Sequence, residues 1–334
     1  MNITNVLKDH GVGIGGVDEF KEFKLLRSVT ATASNLSGYG DFDDNVAILF
    51  KEDFDNKRTL MSKFNVLTDN TFTQVNTLNE LRLHNKPRFS NKYLFALLRR
   101  FDSTKTGYLY VFTKDGSRVV KQITLHLEIS PYSLKRVLDD PITGNIAVIY
   151  SWNELNYVVI YDSNLNVVKD EFSMISDAPK LDQGTFFYNS YIYGVNSYDL
   201  VKYDYRTNTN VKNIKLDYSI TSLVTNQNTK RIFSTGMNKI YDFDLNEIVD
   251  SNGHYRFSSP GTMNISNSLP LIDGAAIFAN SYNFGFEYKL GKDKLNARVM
   301  TEVPQTSSMV SHYVTRDLKT LVCVLNNTFI VYTR

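Results

Sequence analysis

The stretch 145–172, NIAVIYSWNELNYVVIYDSNLNVVKDEF, decides how the chain is read. IAVIY and YVVIY are β-branched and aromatic runs of strand length, Ser151 to Asn156 is a polar connection, and Asp162-Ser163-Asn164 is a tight-turn cluster before VVKDEF. This pattern predicts a β-meander. One meander leaves its apolar faces in water, so a chain made of several must stack them as a sandwich, a solenoid or a closed ring.

Imperfect copies lie on both sides. Upstream are NVAILF (45–50), TLMSKFNVL (59–67) and TFTQVNTL, then KYLFALL (92–98), YLYVF (108–112) and RVVKQITL, the last two joined by Lys114-Asp115-Gly116. Asp-Gly between β-rich runs is a strong hairpin signal. Downstream are SYIYGV, DLVKYDY and VKNIKL, then ITSLVT, KRIFS and KIYDF, then AAIFA and FGFEYKL, and finally MVSHYVT, TLVCVL and TFIVYTR. The residues that close the third strand of each unit are Leu67, Phe112, Tyr161, Tyr203, Tyr241, Tyr288 and Tyr332. They are spaced 38 to 49 residues apart, so seven units are expected. The seventh unit is one strand short, while DEFKEFKLL (18–26) stands unassigned before the first. Pairing the two, with Glu22 near Ile330, would close the ring and remove an exposed edge.

The spacing, together with the Tyr-Asp-x-x-x-Asn turns in LVKYDYRTNTNVKNIKL and VVIYDSNLNVVKDEF, resembles seven-bladed β-propellers of the WD40, NHL and YVTN kind. Only Trp152 exists, so the blades do not end in Trp-Asp, and no Asp-box is present. The resemblance implies an all-β fold: a seven-bladed β-propeller over residues 18–334, closed by an N-terminal strand that completes the last blade. Residues 1–17 are then an arm outside it.

Composition narrows the function. Charged residues are 22% of the chain and the net charge is +2, which lacks the basic footprint of a nucleic-acid binder. The lone Cys323, in LVCVL, rules out an internal disulfide framework and reads as a buried core residue. No signal peptide and no membrane insertion are expected, because no apolar run reaches the necessary length. The compartment is then the cytoplasm, or a virion if the gene belongs to a phage, a setting to which the abundance of Asn, Lys, Tyr, Phe and Ile points through an AT-rich genome.

No metal, cofactor or catalytic residue is assigned. His10, His84, His126, His254 and His312 fall in different units with no pair at metal-binding spacing. Gly11, Gly13, Gly15 and Gly16 follow no strand and precede no Lys-Ser/Thr, so they make no phosphate loop. Asp242-x-Asp244-x-Asn246 opens like a calcium loop but has Gly253 at the twelfth position, and is read as turn chemistry. Asp43, Asp44, Asp139 and Asp140 flank turns and strands and are read as structural. Acids on separate units can still meet in a central channel, which keeps a glycosidase-type enzyme as an alternative.

The connections between second and third strands carry Phe54, Phe101, Trp152, Tyr198, Met237 and Tyr282, with Arg58, Arg99 and Arg100 in the first two. Aromatic and arginine side chains on neighbouring loops are the composition of interaction hot spots. The competing account is chance, since the chain has 21 Tyr and 21 Phe and some must fall in loops. The leading reading is a non-enzymatic platform for protein partners, set in a phage tail, neck or baseplate. The alternative is a receptor- or glycan-binding protein whose loop rings stack on sugars.

Overall fold

The computed structural model describes residues 23–30, 40–102, 106–128, 133–152, 155–180, 184–215, 223–234, 239–248, 264–265, 275–279, 285–290, 295–300, 310–315, 319–325 and 328–334. Among them the regular structure is all β, arranged as seven antiparallel sheets. The first sheet contains Gly40–Asp43, Val46–Asp53, Arg58–Asn65 and Thr73–Asn79. The second contains Leu81–Leu83, Tyr93–Arg100, Thr106–Thr113 and Val119–Glu128, with the short Arg88–Phe89 also on Tyr93–Arg100. The third contains Ser133–Asp139, Ile146–Trp152, Leu155–Tyr161 and Val167–Ser173. The fourth contains Phe186–Tyr188, Tyr191–Asn196, Asp199–Asp204 and Thr209–Lys215. The fifth contains Leu223–Asn226, Arg231–Ser234, Lys239–Asp242 and Glu247–Ile248, and the sixth Asn264–Ile265, Ala275–Ala279, Gly285–Leu290 and Leu295–Met300. In the seventh, Val310–Val314, Thr320–Leu325 and Thr328–Thr333 are followed not by a later strand but by Lys24–Thr30.

In the second and third sheets the second strand is a run apolar on both faces. Ile146–Trp152 is fully buried from Ile146 to Tyr150, and Tyr93–Arg100 from Tyr93 to Leu98. Such strands need cover on both sides, and the neighbouring sheets supply it. Phe95, Leu97, Leu109 and Val111 of the second sheet pack with Ile146, Val148 and Tyr161 of the third. Ala147, Ile149 and Ile160 pack with Phe187, Ile192 and Val201 of the fourth, and Phe186 and Tyr193 with Leu223, Ile232 and Tyr241 of the fifth. The first sheet is covered by the second through Ile48, Met61, Leu94 and Phe112. Its other face meets the seventh through Leu49, Phe64, Val322 and Phe329. Leu223–Asn226 also runs close to two strands of the sixth sheet. Cys323 is a free, fully buried thiol, and burial pushes its pKa up.

The last strands of five of the seven sheets repeat one local device. A β-bulge skips one residue of the strand, and the residue after it reaches the turn between the third and fourth strands of the next sheet. The skipped and reaching pairs are Leu26-Arg27, Val75-Asn76, Val120-Lys121, Val168-Lys169 and Val211-Lys212. Asn76 Nδ2 donates to the Gly116 carbonyl at 3.2 Å, Lys121 Nζ to Leu165 at 2.6 Å, Lys169 Nζ to Arg206 at 2.6 Å and Lys212 Nζ to Asp244 at 2.9 Å. A bulge leaves its extra residue unpaired and re-aims the next side chain. The unpaired residue faces water at Leu26, Val120, Val168 and Val211, whereas Val75 packs against the core between the first and second sheets.

Arg27 makes the same connection from the seventh sheet to the first. Its Nη1 donates to the Leu67 carbonyl at 3.2 Å, and its Nη2 to the Asp69 carbonyl at 2.6 Å and Asn70 Oδ1 at 2.7 Å. Lys24–Thr30 thus occupies the seventh sheet as later strands occupy the others. Lys24 pairs with Thr333 and Thr30 with Thr328.

The closing strand expected over 18–26 is displaced toward Lys24–Thr30, and Ser28, rather than a residue near Glu22, faces Ile330. Glu22 and the arm 1–17 lie outside the described residues. Apolar alternation located the strand too early because a last strand buries little: Leu25 and Leu26 are exposed. Its place comes from the ladder and from Arg27. Leu67 likewise lies past its strand, which ends at Asn65, in a turn where Asp69 accepts from the Asn65 N–H.

Candidate functional site

The loop residues come together between the first and second sheets. The hairpin of Val46–Asp53 and Arg58–Asn65 runs further than its charged sequence suggests. Lys51, Glu52 and Asp53 pair with Leu60, Thr59 and Arg58, leaving only Phe54 to Lys57 as the turn. Asp53 fixes that turn by accepting from Asn56 and from Arg58 Nε at 2.8 Å. Hydrogen bonds from the Asn56 side chain, then from Arg58, hold the Asp53 carboxyl below its usual pKa. Phe54 is left 62% exposed.

Backbone hydrogen bonds tie this turn to the next hairpin: the Glu80 N–H donates to Lys57 at 2.6 Å, and the Phe101 N–H to Glu80 at 2.9 Å. They bring the Phe101 ring edge-on to Phe54, with centroids 5.7 Å apart. Behind Phe101, Leu81–Leu83 pairs with the end of Tyr93–Arg100 and sets Arg82 opposite Arg99. The Arg82 guanidinium lies 6.0 Å from the Phe101 ring centre.

The electrostatics here are unbalanced. Like charges directly across a ladder repel, and both guanidinium groups are partly withdrawn from water. Burial lowers the Arg99 pKa, the Arg82 charge lowers it further, and Glu52 acts the other way. Glu52 is the carboxylate that faces both. Its pKa is raised because burial outweighs Arg82, Arg99 and the Leu83 N–H. The Nε atoms of Arg82 and Arg99 are buried and have no hydrogen-bond partner.

The other expected residues divide. Arg58 and Arg100 sit at strand ends instead of in loops. Arg58 is paired with Asp53, and Arg100 stands 3.9 Å from Asp102. Trp152 is not a loop residue. It ends Ile146–Trp152, is half-buried, packs on the core and lies edge-on to Tyr157 at 6.5 Å. Period-2 alternation continues through Ser151-Trp152, so the ring turns to the packed face. Tyr198 is a true loop residue and 54% exposed, beside Ser197, whose hydroxyl accepts from Lys180 Nζ at 2.8 Å. Met237 and Tyr282 lie outside the described residues. Arg82 went unnoticed in the sequence. Its signal was an arginine inside the alternating Leu81-Arg82-Leu83.

The candidate acids have structural partners. Asp140 is buried and accepts from Ile142, Thr143, Asn189 and Ser190, joining the third sheet to the fourth. Asp139 accepts from the Asn91 N–H at 2.8 Å, and Asp43 meets Lys114 at 2.8 Å. Asp242 accepts from the N–H groups of Asp244 and Asn246, and Asp244 is bound by Lys202 at 2.8 Å, so the calcium-like run is a turn. No group of three or more potential metal ligands occurs among the described residues. Among the same residues, no helix is long and apolar enough to cross a membrane.

No protein-family model and no curated protein matches this sequence. Solved structures do. A chain in the crystal structure of a mitotic checkpoint complex aligns with a TM-score of 0.59 at 8% identity, covering 96% of this chain and 94% of that one. The Cps50 (Swd1) β-propeller domain of Myceliophteria thermophila aligns with a TM-score of 0.52 at 11% identity, covering 93% of this chain and 99% of that one. Identities this low carry the architecture and nothing of the activity. The chain has a β-propeller fold.

Proposed function

We propose that the chain is a non-catalytic docking platform for a protein partner. The seven sheets are seven blades of a ring that Lys24–Thr30 closes, forming a single domain over 18–334, with 1–17 as an arm. In that geometry the connections between second and third strands share one face, and this face is the docking surface. The observation that carries the reading is the Phe54–Phe101 pair, two rings from adjacent sheets held 5.7 Å apart with Phe54 62% exposed. An exposed ring braced by a partly buried one on a rigid frame costs little side-chain entropy on binding. Tyr198 extends the surface on the fourth sheet. The setting we propose is a phage tail, neck or baseplate, and the compositional tilt to Asn, Lys, Tyr, Phe and Ile supports it.

A photo-reactive phenylalanine analogue at position 101 tests the surface in cells that make the protein. A defined partner should crosslink, and the complex should be lost in F54A with the fold unchanged by circular dichroism. Crosslinks from position 120 on the opposite edge, with none from position 101, would refute the surface. Recovery of the chain only as free monomer from lysates containing phage particles would remove the virion setting.

A further inference from the structure

We infer that the Arg82–Arg99 pair is a receptor for a carboxylate side chain of the docked partner, so that the platform takes an acidic peptide segment with an apolar residue beside its acid. This rests on the docking reading above and names its ligand chemistry. Two arginines face each other across one ladder, and the carboxylate beside them is Glu52. The formal balance at this point is therefore two positive charges against one negative. The Nε atom of each arginine is buried and unpartnered.

Buried polar groups are almost always hydrogen-bonded; Arg88 Nε is orphaned too, but Arg82 and Arg99 are in addition set opposite each other across a ladder. A guanidinium fork matches a carboxylate in two parallel hydrogen bonds, a geometry that favours a flat acid over a point charge. Phe101 supports the pair from one side through its ring face over Arg82, and Phe54 offers exposed apolar surface next to it. An acid followed by an apolar side chain would fill both halves. A nucleic-acid backbone fits less well: Glu52 lies with the arginines, and the whole chain carries a net charge of only +2.

The test is selection of a randomised dodecapeptide display library on the immobilised full chain, followed by fluorescence titration of the enriched peptide. Enrichment of Asp or Glu beside a Leu, Phe or Tyr is expected. The Asn or Gln isostere of that peptide should bind about tenfold more weakly or worse, as should R82Q and R99Q with the natural peptide. E52Q, which removes the competing carboxylate, should tighten it. A purely structural arginine pair would instead lower the thermal midpoint when replaced and leave peptide affinity alone. The inference is overturned by failure to enrich any peptide, by enriched peptides without acids, by isosteres that bind equally, or by a single-stranded DNA oligonucleotide that outcompetes the peptide. Neutral peptides that bind and are lost in F54A would overturn the carboxylate receptor while leaving the docking surface standing.

Discussion

The last strands of the sheets and the corner between the first two sheets treat their cations in opposite ways. On the last strands, Arg27, Lys121, Lys169 and Lys212 each follow a bulge and each donates to a carbonyl of the next sheet. At the corner, Arg82 and Arg99 face one another with buried Nε atoms that have no acceptor within the protein. A cationic side chain thus serves as a cross-link where the backbone offers an acceptor, and leaves a buried Nε without one where it does not. A protein under selection for stability alone would have replaced the corner pair with apolar residues of similar shape, which commonly stabilises.

The largest effect should come from the last strands. R27A removes three hydrogen bonds that join the seventh sheet to the first, and should cost about 2 to 3 kcal/mol by chemical denaturation. Hydrogen exchange should show the loss first in Lys24–Thr30 and its partner Thr328–Thr333. Unchanged protection there would mean the ladder alone holds the strand. The corner should respond with the opposite sign: R99M is expected to stabilise by about 1 kcal/mol, because it relieves a buried like-charge contact. A fall in stability would show the pair to be structural.

Next comes pH, which should separate the two regions by sign. Glu52 has its folded pKa raised by burial, so the folded state gains stability as pH falls through that value, and its ionised form is a cost at neutral pH. E52Q should therefore be more stable than the natural protein near pH 7, with the difference vanishing below about pH 4, where the natural carboxyl is protonated in both states. Asp244 behaves in reverse. The Lys202 hydrogen bond and charge depress its pKa, so its stabilisation is present above the ordinary carboxylate range and is lost as pH falls through the depressed value. D244N should weaken the protein near pH 7 and converge with it in strong acid. The smallest change is expected from V168T, since the bulged residue is half exposed and unpaired: about 0.5 kcal/mol or less.

The legible parts of the sequence and the illegible ones differ in range. Runs such as IAVIY and YLFALL are apolar on both faces, and that local fact announces strands covered on both sides. The turn at Lys114-Asp115-Gly116 was readable because Gly116, at φ 75°, supplies the left-handed conformation that the hairpin needs. Phe54 and Phe101 could be picked out as loop residues with no knowledge of the fold. Trp152 was misplaced because one polar residue before it, Ser151, looks like the start of a loop although the ladder continues through both. Arg58, Arg99 and Arg100 shifted from loops into strands for the same reason: charge in a sequence marks exposure, and a strand end can be exposed.

From the sequence alone came the all-β class, the repeat of 38 to 49 residues, and the missing strand of the seventh unit, because short-range alternation and turn chemistry need no partner to be recognised. Tertiary structure alone decided that Arg27 bonds to a turn about forty positions away and that Arg82 confronts Arg99 across a ladder. It also decided that Phe54 meets Phe101. These are long-range juxtapositions, set by strand register and by how one sheet leans on the next. A one-residue bulge or slip would send each of those side chains elsewhere.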